Sequence, residues 1–198
     1  MPSELFVLAE GYARPDGDGG YFAAPATVLI IDNGKRVLAD PGAEPDELLD
    51  VLRKRGLAPA DIDLVFLTHH HADHWQSLYL FPGVSVCDGR VLYQGNRQTA
   101  VSGVIPGTQI EILPTPGHCE EHAALLVKTA RGRYAVAGDV FWWPDGAAPQ
   151  ITAAALLGLA DPFAEDMDRL RQSRSQLLNA ADFIIPGHGA VFAVPRPV

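Results

Sequence analysis

Apolar residues in this chain come in short runs punctuated by glycine, proline and aspartate, with few long polar tracts between them. Residues 5–9, Leu-Phe-Val-Leu-Ala, read as a first strand, because a run this short bounded by turn residues suits a strand better than a helix. Residues 11–20, Gly-Tyr-Ala-Arg-Pro-Asp-Gly-Asp-Gly-Gly, predict a loop. A strand over 26–31, the hairpin signal Asp32-Asn33-Gly34-Lys35 and a partner strand over 36–39 follow. The spacing of Leu48, Leu49 and Leu52 predicts a helix over 45–55, with a proline and acidic groups at its start. Further strands are predicted over 62–67, 84–86, 90–93 and 109–113, then a hairpin of 123–128 with 133–137, and a last strand over 183–185. Residues 162–179 predict one helix, whereas 141–161 are apolar, rich in alanine and proline, and carry no clear period. Many strands with flanking helices predict an α+β fold in which two mixed sheets are sandwiched between outer helices.

Length and composition narrow the picture. A chain of 198 residues with 47% hydrophobic content suits one compact domain, 1–198, with a sizeable core. No apolar run approaches the roughly 20 residues of a membrane span. The start, Met1-Pro2-Ser3-Glu4, lacks the basic flank and apolar region of a secretory signal, so the expected location is cytoplasmic. Cys87 and Cys119 are too few and too isolated for a disulfide framework. A formal charge of −9 disfavours a general nucleic-acid surface without excluding one. The expected partner is a small molecule, with no membrane; a homodimer is compatible with the sequence.

Candidate chemistry is concentrated in Thr68-His69-His70-His71-Ala72-Asp73-His74-Trp75, which holds four of the seven histidines. Such crowding is costly in a core unless each imidazole finds a partner, and a metal site provides one. At a strand end His69 and His71 point the same way and His70 points away. Asp73 and His74 sit where the chain would turn into a helix, and their different direction suits a second, neighbouring metal. His118, Asp139 and His188 recur after the strands predicted over 109–113, 133–137 and 183–185, beside glycines and prolines that let the backbone turn.

Taken together, Thr68-His69-x-His71-x-Asp73-His74, Thr115-Pro116-Gly117-His118, Gly138-Asp139 and Pro186-Gly187-His188-Gly189 resemble the metallo-β-lactamase superfamily in order and spacing, as does the Asp40-Pro41-Gly42 turn. Gly11-Tyr12-Ala13, Leu80-Phe81-Pro82-Gly83 and residues 136–141 are most similar to the family of metallo-β-lactamase domain-containing protein 1 and its small bacterial relatives. The resemblance implies a four-layer αβ/βα sandwich and a dinuclear metal site. His69, His71 and His118 would hold one ion, Asp73, His74 and His188 the other, and Asp139 would bridge both. Zn²⁺ is the first expectation for two divalent ions in such N/O ligands, and iron or manganese would accept the same set. The implied chemistry is hydrolysis of a small ester, thioester or lactone by a metal-bridging hydroxide, with Asp73 also orienting the nucleophile as a catalytic group. Competing readings are a nuclease using the same hydroxide on a phosphodiester, and a mononuclear iron dioxygenase of the persulfide type. His71 argues against flavodiiron-type members, which carry glutamate there. With about ten residues after His188, the C-terminal helical domain of glyoxalase II-like thioesterases is not expected.

Around this set, Asp40 reads either as an acceptor for a ligand imidazole or as a turn former. His70 is expected to face outward, and His122 could buttress the His118 turn. Tyr12, Tyr21 and Phe22 could close over a ligand. Trp75, Trp142 and Trp143 suit core packing or apolar walls. Arg169, Arg171 and Arg174 suit a solvated helix face better than an anion site.

Overall fold

The structure is a computed structural model that describes residues 2–196. In chain order its strands are β1 (Glu4–Ala9), β2 (Tyr12–Pro15), β3 (Tyr21–Ala24), β4 (Thr27–Asp32), β5 (Lys35–Ala39), β6 (Leu64–Phe66), β7 (Ser85–Cys87), β8 (Val91–Gln94), β9 (Arg97–Ala100), β10 (Glu111–Pro114), β11 (Ala123–Thr129), β12 (Gly132–Trp142), β13 (Phe183–His188) and β14 (Phe192–Ala193). The helices are α1 (Pro45–Lys54), α2 (Ala72–Trp75), α3 (Ala153–Leu157) and α4 (Met167–Ala180).

Two mixed sheets form, one in the order β1-β4-β5-β6-β7-β8-β9 and the other in the order β10-β11-β12-β13-β14. Period-two alternation explains how they stack. In β4, Val28 and Ile30 face the layer between the sheets while Leu29 faces α1. In β11, Leu125 and Val127 face that same middle layer while Ala124 and Leu126 face α4. Strands buried on both faces read as continuous apolar runs, as these do. Leu48 and Leu52 of α1 cover the outside of the larger sheet, and Leu170, Leu177 and Leu178 of α4 cover the smaller one. The result is the expected four-layer sandwich, with the middle apolar layer at its centre. Asn33 and Gly34 both take positive φ, 49° and 76°, which is the tight hairpin their sequence predicts.

Several element boundaries differ from the sequence reading. The predicted 11–20 loop contains β2, which pairs with β3 to form a separate two-stranded ribbon. Only the tip is a loop, where Asp16 Oδ1 accepts from the backbone N–H groups of Asp18 and Gly20, each at 2.9 Å. β12 continues past Gly138 to Trp142, and β13 runs on to His188, because their parallel pairing extends through register shifts. β9 adds a strand that the sequence reading left out. α4 begins at Met167, five residues later than the predicted start at 162. The N–H groups of Glu165 and Asp166 are taken by the carbonyls of His118 and Gly117, so the helix starts only where Asp166 caps it. The aperiodic 141–161 stretch contains α3. Among the described residues no helix is long and apolar enough to cross a membrane.

Candidate metal centre

The structure brings together all seven residues singled out as ligands, in two adjoining groups: His69, His71, His118 and Asp139, and Asp73, His74 and His188. Asp139 stands between them. Its Oδ2 lies 3.8 Å from His69 Nε2 and 3.5 Å from His118 Nε2. Its Oδ1 lies 3.4 Å from His74 Nε2 and 3.5 Å from His188 Nε2. One carboxylate thus turns one oxygen to each group. Asp73 Oδ2 approaches His188 Nε2 at 3.5 Å, and His71 Nδ1 lies 3.0 Å from His118 Nε2.

Each side chain is placed by a local device. β6 ends at Phe66, and α2 begins after His71, so Asp73 and His74 lie within its single turn. His118 follows Gly117, whose φ of +130° is open to glycine. A Cβ on Gly117 would lie 2.2 Å from the Leu170 nitrogen, so α4 packs directly on this turn. Ser173 of α4 also donates to the Pro116 carbonyl at 2.7 Å. Gly187 leaves room for Asp139, since a Cβ there would meet Asp139 Oδ1 at 1.9 Å.

A surrounding set of hydrogen bonds fixes the rings. Asp40 accepts from the Thr68 N–H and hydroxyl, each at 2.8 Å, and lies 3.0 Å from His74 Nδ1. Asp40 has φ of +48°, which few non-glycine residues adopt, and these three contacts hold it there. His188 Nδ1 faces the carbonyls of Tyr12 and Ala24, at 2.9 and 3.0 Å, and therefore carries the proton. His118 Nδ1 lies 2.8 Å from Asp161 Oδ2. His122 accepts from the Asp139 N–H through Nε2 at 3.2 Å and so donates through Nδ1 to Thr115 Oγ1 at 2.8 Å. Burial pushes the His122 pKa down to about 3, which keeps it neutral in that role.

Charge is balanced within the site. Burial works against a charged His74, yet Asp40 and Asp139 outweigh it and hold its pKa well above the usual value. Burial likewise opposes charge on His188, and Asp139 raises its pKa. Burial also disfavours a charged Asp139, but His188 and His74 hold its carboxyl well below the usual range. Burial, reinforced by His74, keeps His69 from charging.

The donor set fits divalent cations. His69 Nε2, His74 Nε2 and Asp139 Oδ1 are buried and have no hydrogen-bond partner. An unpaired buried polar atom costs about 1–3 kcal/mol. The three converge where neutral imidazole and carboxylate donors suit zinc, iron or manganese.

The site opens into a cavity of about 380 Å³. Tyr21, Trp142 and Phe163 line one side, and Ala13, Gly20, Ala23 and Ala72 contribute small side chains or none. Trp143 packs in the core beside Phe192, and Trp75 is partly exposed, its Nε1 donating to the His70 carbonyl at 3.0 Å. His70 faces outward towards Asp88 and Glu121. The three arginines of α4 do not face the cavity. Arg169 pairs with Glu120, and Arg171 with Asp168. Arg174 is buried instead of solvated, donating to the carbonyls of Val140 and Leu159. Asp161 was missed in the sequence. It lies in the aperiodic stretch 43 residues from His118, and an aspartate before proline ordinarily signals a turn.

Comparison with known proteins agrees with this geometry. The family model described as the Metallo-beta-lactamase superfamily matches residues 20–90. Metallo-beta-lactamase domain-containing protein 1 of Xenopus laevis is 36% identical over 98% of this chain and 82% of its own length. A putative metallo-beta-lactamase from Thermotoga maritima has a similar fold, with a TM-score of 0.69 at 19% identity, covering 98% of this chain and all of that one. AidC, a dizinc quorum-quenching lactonase, superposes with a TM-score of 0.62 at 15% identity over 91% of this chain and 82% of its own.

Proposed function

Because this chain belongs to the metallo-beta-lactamase superfamily, we propose that it is a hydrolase that uses two divalent metal ions to cleave a small ester, thioester or lactone. The observation that carries this reading is the Asp139 carboxylate, which turns Oδ2 to His69 and His118 and Oδ1 to His74 and His188. His69, His71 and His118 would hold one ion, Asp73, His74 and His188 the second, and Asp139 would be shared. Zinc is the first choice, with iron or manganese acceptable to the same donors. When bound, such a pair supplies an activated water near neutral pH and polarises the attacked carbonyl.

The protein's own groups supply positioning. Asp73 is the partly exposed member of its group and borders the cavity, so its carboxylate can accept a hydrogen bond from the attacking water and orient it. Asp40, Asp161 and the carbonyls of Tyr12 and Ala24 fix the imidazoles of His74, His118 and His188. Trp142 and Phe163 exclude water from one side of the cavity. The lining offers no serine, threonine, cysteine or lysine as a nucleophile. This favours direct attack by water over a covalent intermediate. A fold shared with a dizinc lactonase supports the same chemistry.

The test is a panel of thioesters, lactones, simple esters and phosphodiesters offered to zinc-loaded and chelator-treated protein. Zinc-dependent turnover of a carboxylic ester, thioester or lactone is expected. Turnover confined to phosphodiesters, or none with both ions present, would contradict the proposal.

A further inference from the structure

Resting on the hydrolase reading above, we infer that the part of the substrate beyond the scissile carbonyl is an uncharged apolar acyl chain, held along a wall formed by Tyr21, Trp142 and Phe163.

The three rings form a continuous surface. Their centroids are 5.9 Å apart for Tyr21 and Trp142, 5.7 Å for Trp142 and Phe163, and 6.1 Å for Tyr21 and Phe163. They touch one another edge-on or tilted, so they present a wall and leave no gap for a ligand among them. Trp142 also meets the His188 ring edge-on at 6.2 Å, which joins the wall to the metal-binding groups. Alanines and glycines make up much of the remaining lining and leave the space unfilled, and its volume of about 380 Å³ falls in the range of small-molecule sites. The wall continues outward. Phe163 is 51% exposed, so the wall reaches the surface. Apolar surface bordering a cavity marks a place where an apolar partner settles.

Charge points the same way. Among the described residues no lysine or arginine lines the cavity, and its ionisable members other than Tyr21 belong to the two ligand groups. Nearby cations are engaged elsewhere: Arg14 lies 3.6 Å from Asp145, and Arg169 pairs with Glu120. A phosphate or carboxylate on the distal end of a substrate would find no counter-charge. An alkyl chain would be desolvated against three rings.

The experiment uses zinc-loaded protein and thioesters of N-acetylcysteamine, whose leaving group is uncharged, with acyl chains from acetyl to decanoyl and a succinyl member. Each methylene that reaches the wall should raise kcat/KM about three- to fourfold, the gain expected from burying one such group. Succinyl should react at least about tenfold more slowly than the butanoyl compound of equal length, since its carboxylate lacks a partner. Phe163→Ala should flatten the dependence on chain length, and Phe163→Leu should restore part of it, with circular dichroism and zinc content checking each fold. A flat wild-type series, a succinyl thioester as good as butanoyl, or an unchanged slope in Phe163→Ala would overturn the inference. Calorimetric binding of hexanamide and octanamide gives a second readout. If no thioester turns over, the thioesterase form of the hydrolase reading fails, while tighter binding of the longer amide, weakened by Phe163→Ala, still supports the wall. Equal or absent amide binding overturns it.

Discussion

At the scale of single residues, the site depends on groups that hold the proposed ligands as much as on the ligands themselves. Asp161 is the clearest case: its carboxylate is fully buried and meets His118 Nδ1 at 2.8 Å, with Oδ1 accepting from the Phe163 N–H at 3.0 Å. Asp161→Ala should weaken zinc binding by about 10–100-fold, the usual effect of losing such a partner, as measured by competition with a chromophoric chelator. Unchanged affinity would show that the imidazole is fixed by packing alone. The ligand candidates themselves were legible, because histidine and aspartate beside glycine and proline at strand ends carry a chemical signature in their immediate neighbours. Asp161 was not, since its partner lies 43 residues away in the chain. Asp40 stood between two roles, and the fold gives it both: it turns the chain at positive φ and faces His74.

At the scale of elements, α4 does two jobs through different residues. Leu177 is fully buried in the outer core, away from the proposed ligands. Leu177→Ala should cost about 2–5 kcal/mol in denaturant unfolding while leaving zinc stoichiometry unchanged. Gly117→Ala should do both kinds of damage, because its Cβ would strike the backbone of Leu170 and displace the turn that carries His118. A loss of about 1–3 kcal/mol together with weaker zinc binding is expected from such overpacking, measured by unfolding and chelator competition. β4 and β11 were legible because strands buried on both faces are largely apolar, and β5 because the Asn33-Gly34 turn announces it. The β2–β3 ribbon was not: Tyr12-Ala13-Arg14-Pro15 has little apolar content, and its pairing is set by β3 and the Asp16 turn. The ends of β12 and β13 were misread for a related reason, as Gly138 and Gly187 signal turns locally but lie within strands that pair through irregular register.

At the scale of the whole molecule, the acidic balance of −9 and a cavity whose lining combines aromatic rings with no lysine or arginine among the described residues argue for a small-molecule substrate over nucleic acid. Protons would compete with the proposed metal ions for the same centre. The carboxylates of Asp40 and Asp139, against the cost of burial, raise the pKa of His74, and Asp139 raises that of His188. Both imidazoles must lose those protons to bind a cation, so zinc loading should release protons and its affinity should fall as pH drops. Calorimetry in buffers of differing ionisation enthalpy would report the release, and a buffer-independent heat would argue against it.

The central claim is that Asp139 is shared by two cations, and metal stoichiometry tests it most directly. Elemental analysis of zinc-saturated protein should give two ions per chain, and Asp139→Ala should retain fewer than two under the same conditions. A single ion in the wild-type chain, or two retained without Asp139, would contradict the account.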